Sequence, residues 1–101
     1  MAGKKPNAHA IEAAESLAIQ ALAFLADDGE RLGRFLAVTG IGPEEIRDAA
    51  REPQFLAGVL EYLSGDEPLL IEFASHADLN PVEVARACAA LGRGAWERDL
   101  P

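Results

Sequence analysis

The chain has 101 residues, which suits a single domain that buries an apolar core without a metal ion or a disulfide. Half of its residues are hydrophobic and only 6% are aromatic, and no alternating run of Val, Ile and Thr indicates a strand. The formal charge is −8, and the only basic excess is Lys4 and Lys5. This balance argues against a surface that binds nucleic acid or an anionic membrane.

Other features of the composition concern the compartment. A single cysteine, Cys88, excludes an internal disulfide and suits a reducing environment. No apolar run approaches the ~20 residues that a membrane span needs. The basic N-terminus is followed by polar residues rather than by the apolar segment of a signal peptide. We therefore expect a cytoplasmic, all-α protein, a compact bundle of five to six short helices in a single domain.

The predicted domain begins after a short tail. Residues 1–7 are small, basic and proline-containing, and we expect them to be disordered. Helix 1 is predicted over residues 8–26, and the helical domain over residues 8–94, followed by a C-terminal tail at 95–101. The apolar face of helix 1 is broad and contains Ile11, Leu17, Ala18, Ala21, Leu22, Phe24 and Leu25.

Helices 2 and 3 surround the strongest turn signal of the chain. Asp27 followed by Glu30 is the spacing of a capping box and predicts the start of helix 2, which runs to about Val38. Gly40 suits the position after that helix, and Pro43 suits the first turn of helix 3, which is predicted to run to about Arg51. The apolar spacing predicts that helix 2 buries Phe35.

The second half of the chain predicts three more helices. Helix 4 covers about 54–64 and ends at Gly65, and helix 5 covers about 67–77 with Asp66 as its cap. Asn80 and Glu83 form a second capping-box pattern, which opens helix 6; this helix ends at Gly92. Its predicted apolar face contains Val82, Val84, Ala85, Cys88, Ala89 and Leu91.

Two glycines inside predicted helices need an explanation, because glycine in a helix costs about 1 kcal/mol relative to alanine. They are Gly33 in helix 2 and Gly58 in helix 4. A close helix crossing would account for both, so we expect them on facing surfaces.

The turn from Thr39 to Pro43 resembles the hairpin of a helix-hairpin-helix DNA-binding module. In that module a glycine–hydrophobic–glycine turn presents backbone N–H groups to a phosphate, which would assign Gly40 and Gly42 here, with Arg47 nearby. However, Glu44 and Glu45 follow the turn and would repel a phosphate. A tight turn between two packed helices explains the same residues, and we favour it.

Helices 5 and 6 resemble a helix-turn-helix. The apolar positions that this motif needs are occupied by Phe73, Ala74, Ala77, Leu79, Val84 and Ala87. The reading helix would then display Glu83, Ala85 and Arg86, a poor set for a DNA groove. Asp78 stands where a glycine is usual. Two ordinary packed helices are the preferred interpretation.

No catalytic, cofactor-binding or metal site is predicted. Glu72 and His76 are four residues apart on one helical face, but a third and a fourth metal ligand are not evident. Cys88 has no histidine or acid that the sequence pairs with it, and it shares a face with other apolar residues. We therefore expect a protein that is not an enzyme and has no cofactor.

An interaction surface is the remaining prediction. Helix 1 is nearly apolar from Leu17 to Ala26, and the C-terminal tail contains the only tryptophan, Trp96. Because a lone exposed indole is disfavoured, we expect Trp96 to fold back onto the bundle, and part of this apolar area could also be shared with a partner. This points to Leu17, Leu22, Phe24 and Trp96 as residues that contact a protein partner or a second copy. Helix 1 as the central, covered helix of the bundle explains the same pattern equally well. Nucleic acid and membrane are not expected as partners.

Four segments together resemble a family of short alphaproteobacterial proteins of unknown function. The segments are 21–26 (ALAFLA), 31–36 (RLGRFL), 39–43 (TGIGP) and 51–56 (REPQFL). The resemblance spans nearly the whole chain. It implies a bacterial cytoplasmic setting and brings no activity, cofactor or catalytic residue.

Overall fold

A computed structural model describes the backbone of residues 8–98 and the side chains of residues 9–92. Within this range the chain forms six α-helices and no strand, so the predicted all-α class is confirmed. The helices are α1 (Ala8–Ala26), α2 (Gly29–Thr39), α3 (Ile46–Ala49), α4 (Pro53–Ser64), α5 (Glu67–Ala77) and α6 (Pro81–Arg98), with a 3₁₀ turn (Pro43–Glu45) before α3. The tail predicted at residues 1–7 lies outside the described residues.

Side-chain caps define the starts of three of the helices, α2, α5 and α6. Asn80 and Glu83 form the predicted capping box of α6: Asn80 Oδ1 accepts from the Val82 N–H at 2.9 Å, and Glu83 Oε2 accepts from the Asn80 N–H at 3.1 Å. Asp66 Oδ1 accepts from the Leu69 N–H at the start of α5. The first backbone N–H groups of a helix would otherwise be unpaired, so these caps define where α5 and α6 begin.

The cap of α2 differs from the prediction. Asp28 is the cap rather than Asp27, and its Oδ1 accepts from the N–H groups of Glu30 and Arg31 at 2.9 and 3.3 Å. The backbone N–H of Asp27 still donates to Ala23 at 3.0 Å, so this residue completes the last turn of α1. Two adjacent aspartates make this one-residue ambiguity unavoidable from sequence.

The core lies around α1, which packs against α6, α4, α2 and α5. The larger buried side chains come from five helices: Leu22, Phe24 and Leu25, then Phe35, then Leu56, Val59, Leu60 and Leu63, then Phe73, and finally Val84 and Leu91. Phe35 also packs edge-on against Phe55 and Tyr62, with ring centroids 5.9 and 5.2 Å apart. These contacts bring α2 against α4.

Three other predictions about the helices are wrong. α6 does not end at Gly92 but continues to Arg98, into the segment 95–101 that was predicted to be a tail. A Cβ atom added at Gly33 or Gly58 would meet nothing within 4 Å, so neither glycine marks a close helix crossing. Helix 3 is shorter than predicted and begins as the 3₁₀ turn.

The orientation of α6 also differs from the prediction. Val84 and Leu91 are buried and Cys88 is half-buried, but Val82, Ala85 and Ala89 are exposed. Ala87 takes their place in the core. Since alanine is common on every face of this helix, composition could not define its buried side.

Candidate functional site

Of three clefts in the described part of the chain, the most apolar is a groove between α1 and α6. We call it the α1/α6 groove; its volume is about 300 Å³ and it is open along one side. The lining residues are Ala10, Ala13, Ala14 and Leu17 from α1, and Glu83, Arg86, Ala87 and Ala90 from α6. Each helix contributes positions i, i+3, i+4 and i+7, which form one continuous strip on a helix.

The chemistry of the groove is set by small side chains. Five of the eight lining residues are alanine, and Leu17 adds the only large apolar side chain. Glu83 and Arg86 are exposed and supply one charge of each sign. Glu83 Oε2 is already held by the Asn80 N–H, whereas Arg86 has no ion pair among the described residues. The surface can contact an apolar helix and pair with one charge of either sign.

The residues predicted as an interaction surface are distributed differently. Leu22 and Phe24 are only 7% and 6% exposed, so they belong to the core and cannot contact a partner in this conformation. Leu17 is half-buried and lines the α1/α6 groove. The side chain of Trp96 lies outside the described residues. Helix 1 is therefore the covered, central helix, with one edge left open at the groove.

A second cleft of about 480 Å³ lies between α1 and α5, above the ring of Phe24. Here the Arg31 guanidinium lies 4.4 Å from the centroid of that ring and forms an ion pair with Glu72 of α5. The ring of His76 lies 5.4 Å from the Phe24 ring, tilted by 46°. These contacts join α1, α2 and α5 through charged and aromatic side chains.

This arrangement also accounts for the pair that was considered as metal ligands. Glu72 is paired with Arg31, and His76 packs against an aromatic ring. Among the described residues, no group of three or more histidine, cysteine or acidic side chains is placed to hold a metal ion. The spacing of Glu72 and His76 thus serves contacts between helices.

The turn at Gly40 adopts the backbone shape expected of it but is closed to a phosphate. Gly40 has a φ of +75°, in the left-handed region that favours glycine. Glu45 Oε1 accepts from the Gly42 N–H at 2.9 Å, the donor that a phosphate would need. The Glu44 carboxylate lies close to Gly42 as well. Arg47 is exposed on α3, beyond these carboxylates.

The α5–α6 pair has the buried positions of a helix-turn-helix without its reading surface. Phe73, Ala74, Val84 and Ala87 are buried. Asp78 occupies the left-handed region with φ 59° and ψ 47°, where the motif usually has glycine. The exposed side chains at the start of α6 include Glu83 and only one arginine, Arg86.

Cys88 is half-buried in α6 and packs against the core. Burial raises the pKa of its thiol, and the Glu61 carboxylate raises it further. Because the thiolate is the reactive form, this environment makes Cys88 a poor nucleophile.

Comparison with known proteins places the sequence of this chain in a family. Residues 11–94 match the family described as protein of unknown function (DUF3572), and this range extends from the start of α1 into α6. The chain belongs to the DUF3572 family. Neither the curated proteins nor the solved structures contain a match to it.

Membership confirms the family of unknown function predicted from the sequence, while the alphaproteobacterial origin stays a prediction. The matched range of this DUF3572 chain contains every residue of the α1/α6 groove except Ala10. No helix in the described range is long and apolar enough to cross a membrane.

The sequence did not indicate the groove. A sequence signal for the groove would be alanine at the spacing i, i+3, i+4 in both helices. The full spacing is present in α1, at residues 10, 13 and 14, and only a part of it in α6, at residues 87 and 90. With twenty alanines in the chain, that spacing also occurs where no groove forms. Only the packing of α1 against α6 identifies it.

Proposed function

We propose that this chain is a non-enzymatic protein-interaction module of the bacterial cytoplasm, which holds a helix of a partner protein in the α1/α6 groove. The observation that carries the proposal is the groove itself, an apolar channel open along one side. The single cysteine and the acidic composition support the compartment.

The geometry favours a helix as the bound element. The strip from Ala10 to Leu17 covers two helical turns, about 10 Å along the axis. Alanine side chains allow a third helix to approach to the short end of the usual 8–10 Å interaxial range. A bound helix would place its own apolar positions against Leu17 and the alanines, as in other helix-in-groove complexes.

The chemistry of the titratable groups supports a non-enzymatic role. A nucleophile needs a lowered pKa or an adjacent base, and the pKa of the Cys88 thiol is raised. His76 packs against Phe24, and Glu72 is engaged with Arg31. A binding role depends on the apolar groove and does not require these side chains to react.

The alternative, a nucleic-acid-associated protein, receives no comparable support. The Gly42 N–H is occupied by Glu45, and Glu83 lies at the start of the helix that would enter a groove of DNA. Phosphate contacts supply most of the affinity of nucleic-acid binding, and both candidate surfaces present carboxylates.

Site-specific photocrosslinking in cells tests the proposal. A photoreactive phenylalanine derivative incorporated in place of Ala13, which is exposed at the groove, should give protein adducts on irradiation. The same derivative in place of Ala37, which is exposed on α2, is the matched control and should give none. Absence of adducts at Ala13, or equal adducts at both positions, would refute the groove as a binding site.

A further inference from the structure

We infer that the helix held in the α1/α6 groove comes from a second copy of this chain, so that two grooves face each other across a two-fold axis. This inference rests on the proposed function, because it names the partner of the same site. It is carried by the charges of the groove and by the exposed face of α6 beside it.

The local charges make the groove self-complementary. Glu83 and Arg86 lie one helical turn apart and both line the groove. In a two-fold dimer, residue i of one copy meets residue j of the other and the reverse contact is made as well. Antiparallel packing of α6 against its copy therefore places each Arg86 beside the other copy's Glu83, forming two ion pairs from a groove of zero net charge.

The other clefts lack this property. The cleft beside α3 is lined by Ile41, Ala49 and the three acids Glu45, Asp48 and Glu52. Two copies facing each other there would bring six carboxylates together. The cleft above Phe24 presents Asp27, while the nearby Arg31 is already paired with Glu72. The same cleft is also lined by His76. Of these three surfaces, only the α1/α6 groove is lined by an arginine together with a carboxylate, so only there does a two-fold axis bring permanent opposite charges together.

The surface next to the groove extends the contact. A stable interface buries about 1,600 Å² in total, more than the groove supplies by itself. Val82, Ala85 and Ala89 lie at i, i+3 and i+7 on the outer face of α6, and Val82 is 52% exposed. On a helix this strip is adjacent to Arg86, so an apolar surface continues from the groove across α6. A second copy aligned with α6 would cover it.

The net charge predicts an unusual dependence on salt. Two copies at −8 repel each other over distances longer than the contact, and salt screens this repulsion. Salt also screens the two Arg86–Glu83 pairs, but these charges lie close together and are screened less than the repulsion between whole copies. Association should therefore strengthen as ionic strength rises. A basic partner would show the opposite dependence, because salt would screen an attraction.

Sedimentation velocity on the full chain, at protein concentrations up to about 1 mM and at low and high salt, measures this directly. We expect a dimer whose dissociation constant falls when salt is added. A monomer at every concentration, or a dimer that dissociates with salt, would overturn the inference.

A pair of charge-reversed variants tests the arrangement. Glu83→Arg and Arg86→Glu each leave the groove with charges of one sign, so each variant should be monomeric by itself. Mixed in equal amounts, they should form a 1:1 heterodimer, since opposite signs now meet. Arg47→Glu and Glu44→Arg make the same two charge changes away from the groove and should leave wild-type dimerisation in place.

Folding is monitored separately, because Glu83 belongs to the capping box of α6. Circular dichroism of each variant reports whether the helices are retained. If the Glu83→Arg variant unfolds, Glu83→Gln is mixed with Arg86→Glu in its place. This heterodimer should form more weakly than the one expected from the two charge-reversed variants. Failure of the folded, mixed variants to associate would refute the reciprocal ion pairs.

The crosslinking at Ala13 separates this inference from the proposed function. An adduct with twice the mass of the chain agrees with both. An adduct with a different protein leaves the groove as a binding site but overturns the second copy as its occupant. No adduct overturns both.

Discussion

Phe35 is one of the largest side chains with no exposed surface, and its ring joins α2 to Phe55 and Tyr62. Replacing it with alanine should leave a cavity and cost about 3–5 kcal/mol of the free energy of unfolding. That is a large part of the 5–15 kcal/mol that a domain commonly has. Chemical denaturation monitored by circular dichroism measures the change.

Val38 provides the control for this substitution, because it lies on the same helix and is 71% exposed. Val38→Ala should change the stability by less than about 0.5 kcal/mol. Equal effects of the two substitutions would mean that α2 does not bury the face that contains Phe35.

Asp28 caps α2 although the sequence pointed to Asp27, and the two positions can be distinguished by mutation and pH. The N–H groups of Arg31 and Glu30 lower the pKa of the Asp28 carboxyl below its ordinary value of 3.8. A lowered pKa in the folded state means that the ionised carboxylate stabilises the fold. This stabilisation is complete above pH 3.8 and is lost as the pH falls through the lowered value.

Thermal melts across this pH range give the test. Asp28→Ala should lower the melting temperature near neutral pH, whereas Asp27→Ala should change it little. Asp28→Asn keeps an oxygen acceptor for the N–H groups. It should therefore retain most of the stability while losing the part of the pH dependence that comes from Asp28. A larger effect at Asp27 would restore the capping box predicted from the sequence.

Gly33 within α2 and Gly40 directly after α2 should respond to alanine in opposite directions. Gly33 is exposed, helical and free of contacts that a Cβ would meet, so Gly33→Ala should stabilise the protein by about 0.5–1 kcal/mol. Gly40 has a φ of +75°, and an L-residue there costs about 1–2 kcal/mol. Gly40→Ala should therefore destabilise it. Differential scanning calorimetry of both variants checks the signs, and a destabilising Gly33→Ala would indicate a helix contact at that glycine.

At the scale of the helices, Arg31 of α2 forms an ion pair with Glu72 of α5. Its guanidinium covers Phe24 of α1 and pairs with Glu72 of α5. Exposed pairs of this kind contribute about 0.2–1 kcal/mol, so a double-mutant cycle with Arg31→Met and Glu72→Gln should give a coupling energy in that range. The coupling should shrink in high salt. A coupling of zero would mean that Arg31 acts only through the ring of Phe24.

The helices themselves were largely predictable, for physical reasons that single residues show. The apolar spacing of α1 and the caps Asp66 and Asn80 act within a few residues, so the sequence contains all the information that they need. The end of α6 was not predictable in this way. Gly92 stops a helix only if its backbone turns left-handed, and among the described glycines only Gly40 does so.

The candidate site was predictable in part. Of the described residues that the apolar pattern of α1 assigned to an interaction surface, Leu22 and Phe24 are buried in the core, and only Leu17 lines an open groove. The remaining groove residues are mostly alanines, whose side chains suit a core, a groove or a solvent-facing position. Their role depends on how α1 packs against α6, which is a contact between distant parts of the chain.

For the whole molecule, the dominant property is a charge of −8 on 101 residues. The acids outnumber the bases on the described surface, and only Arg31 forms ion pairs there. Self-repulsion of this kind destabilises the folded state and is screened by salt over about 10 Å at 0.1 M. Adding sodium chloride at neutral pH should therefore raise the melting temperature, measured at low protein concentration so that association does not contribute.

Two neutralising substitutions show where this repulsion acts. Asp48 shares the cleft beside α3 with Glu45 and Glu52, so Asp48→Asn should raise the melting temperature in low salt and lose this advantage in high salt. Glu72→Gln removes the same charge from a carboxylate that is paired with Arg31 and should lower the melting temperature instead. If both substitutions raise it equally, only the net charge matters and the positions of the acids do not. Opposite changes in melting temperature would show that the acidic surface near α3 lowers the stability, whereas Glu72 on α5 raises it.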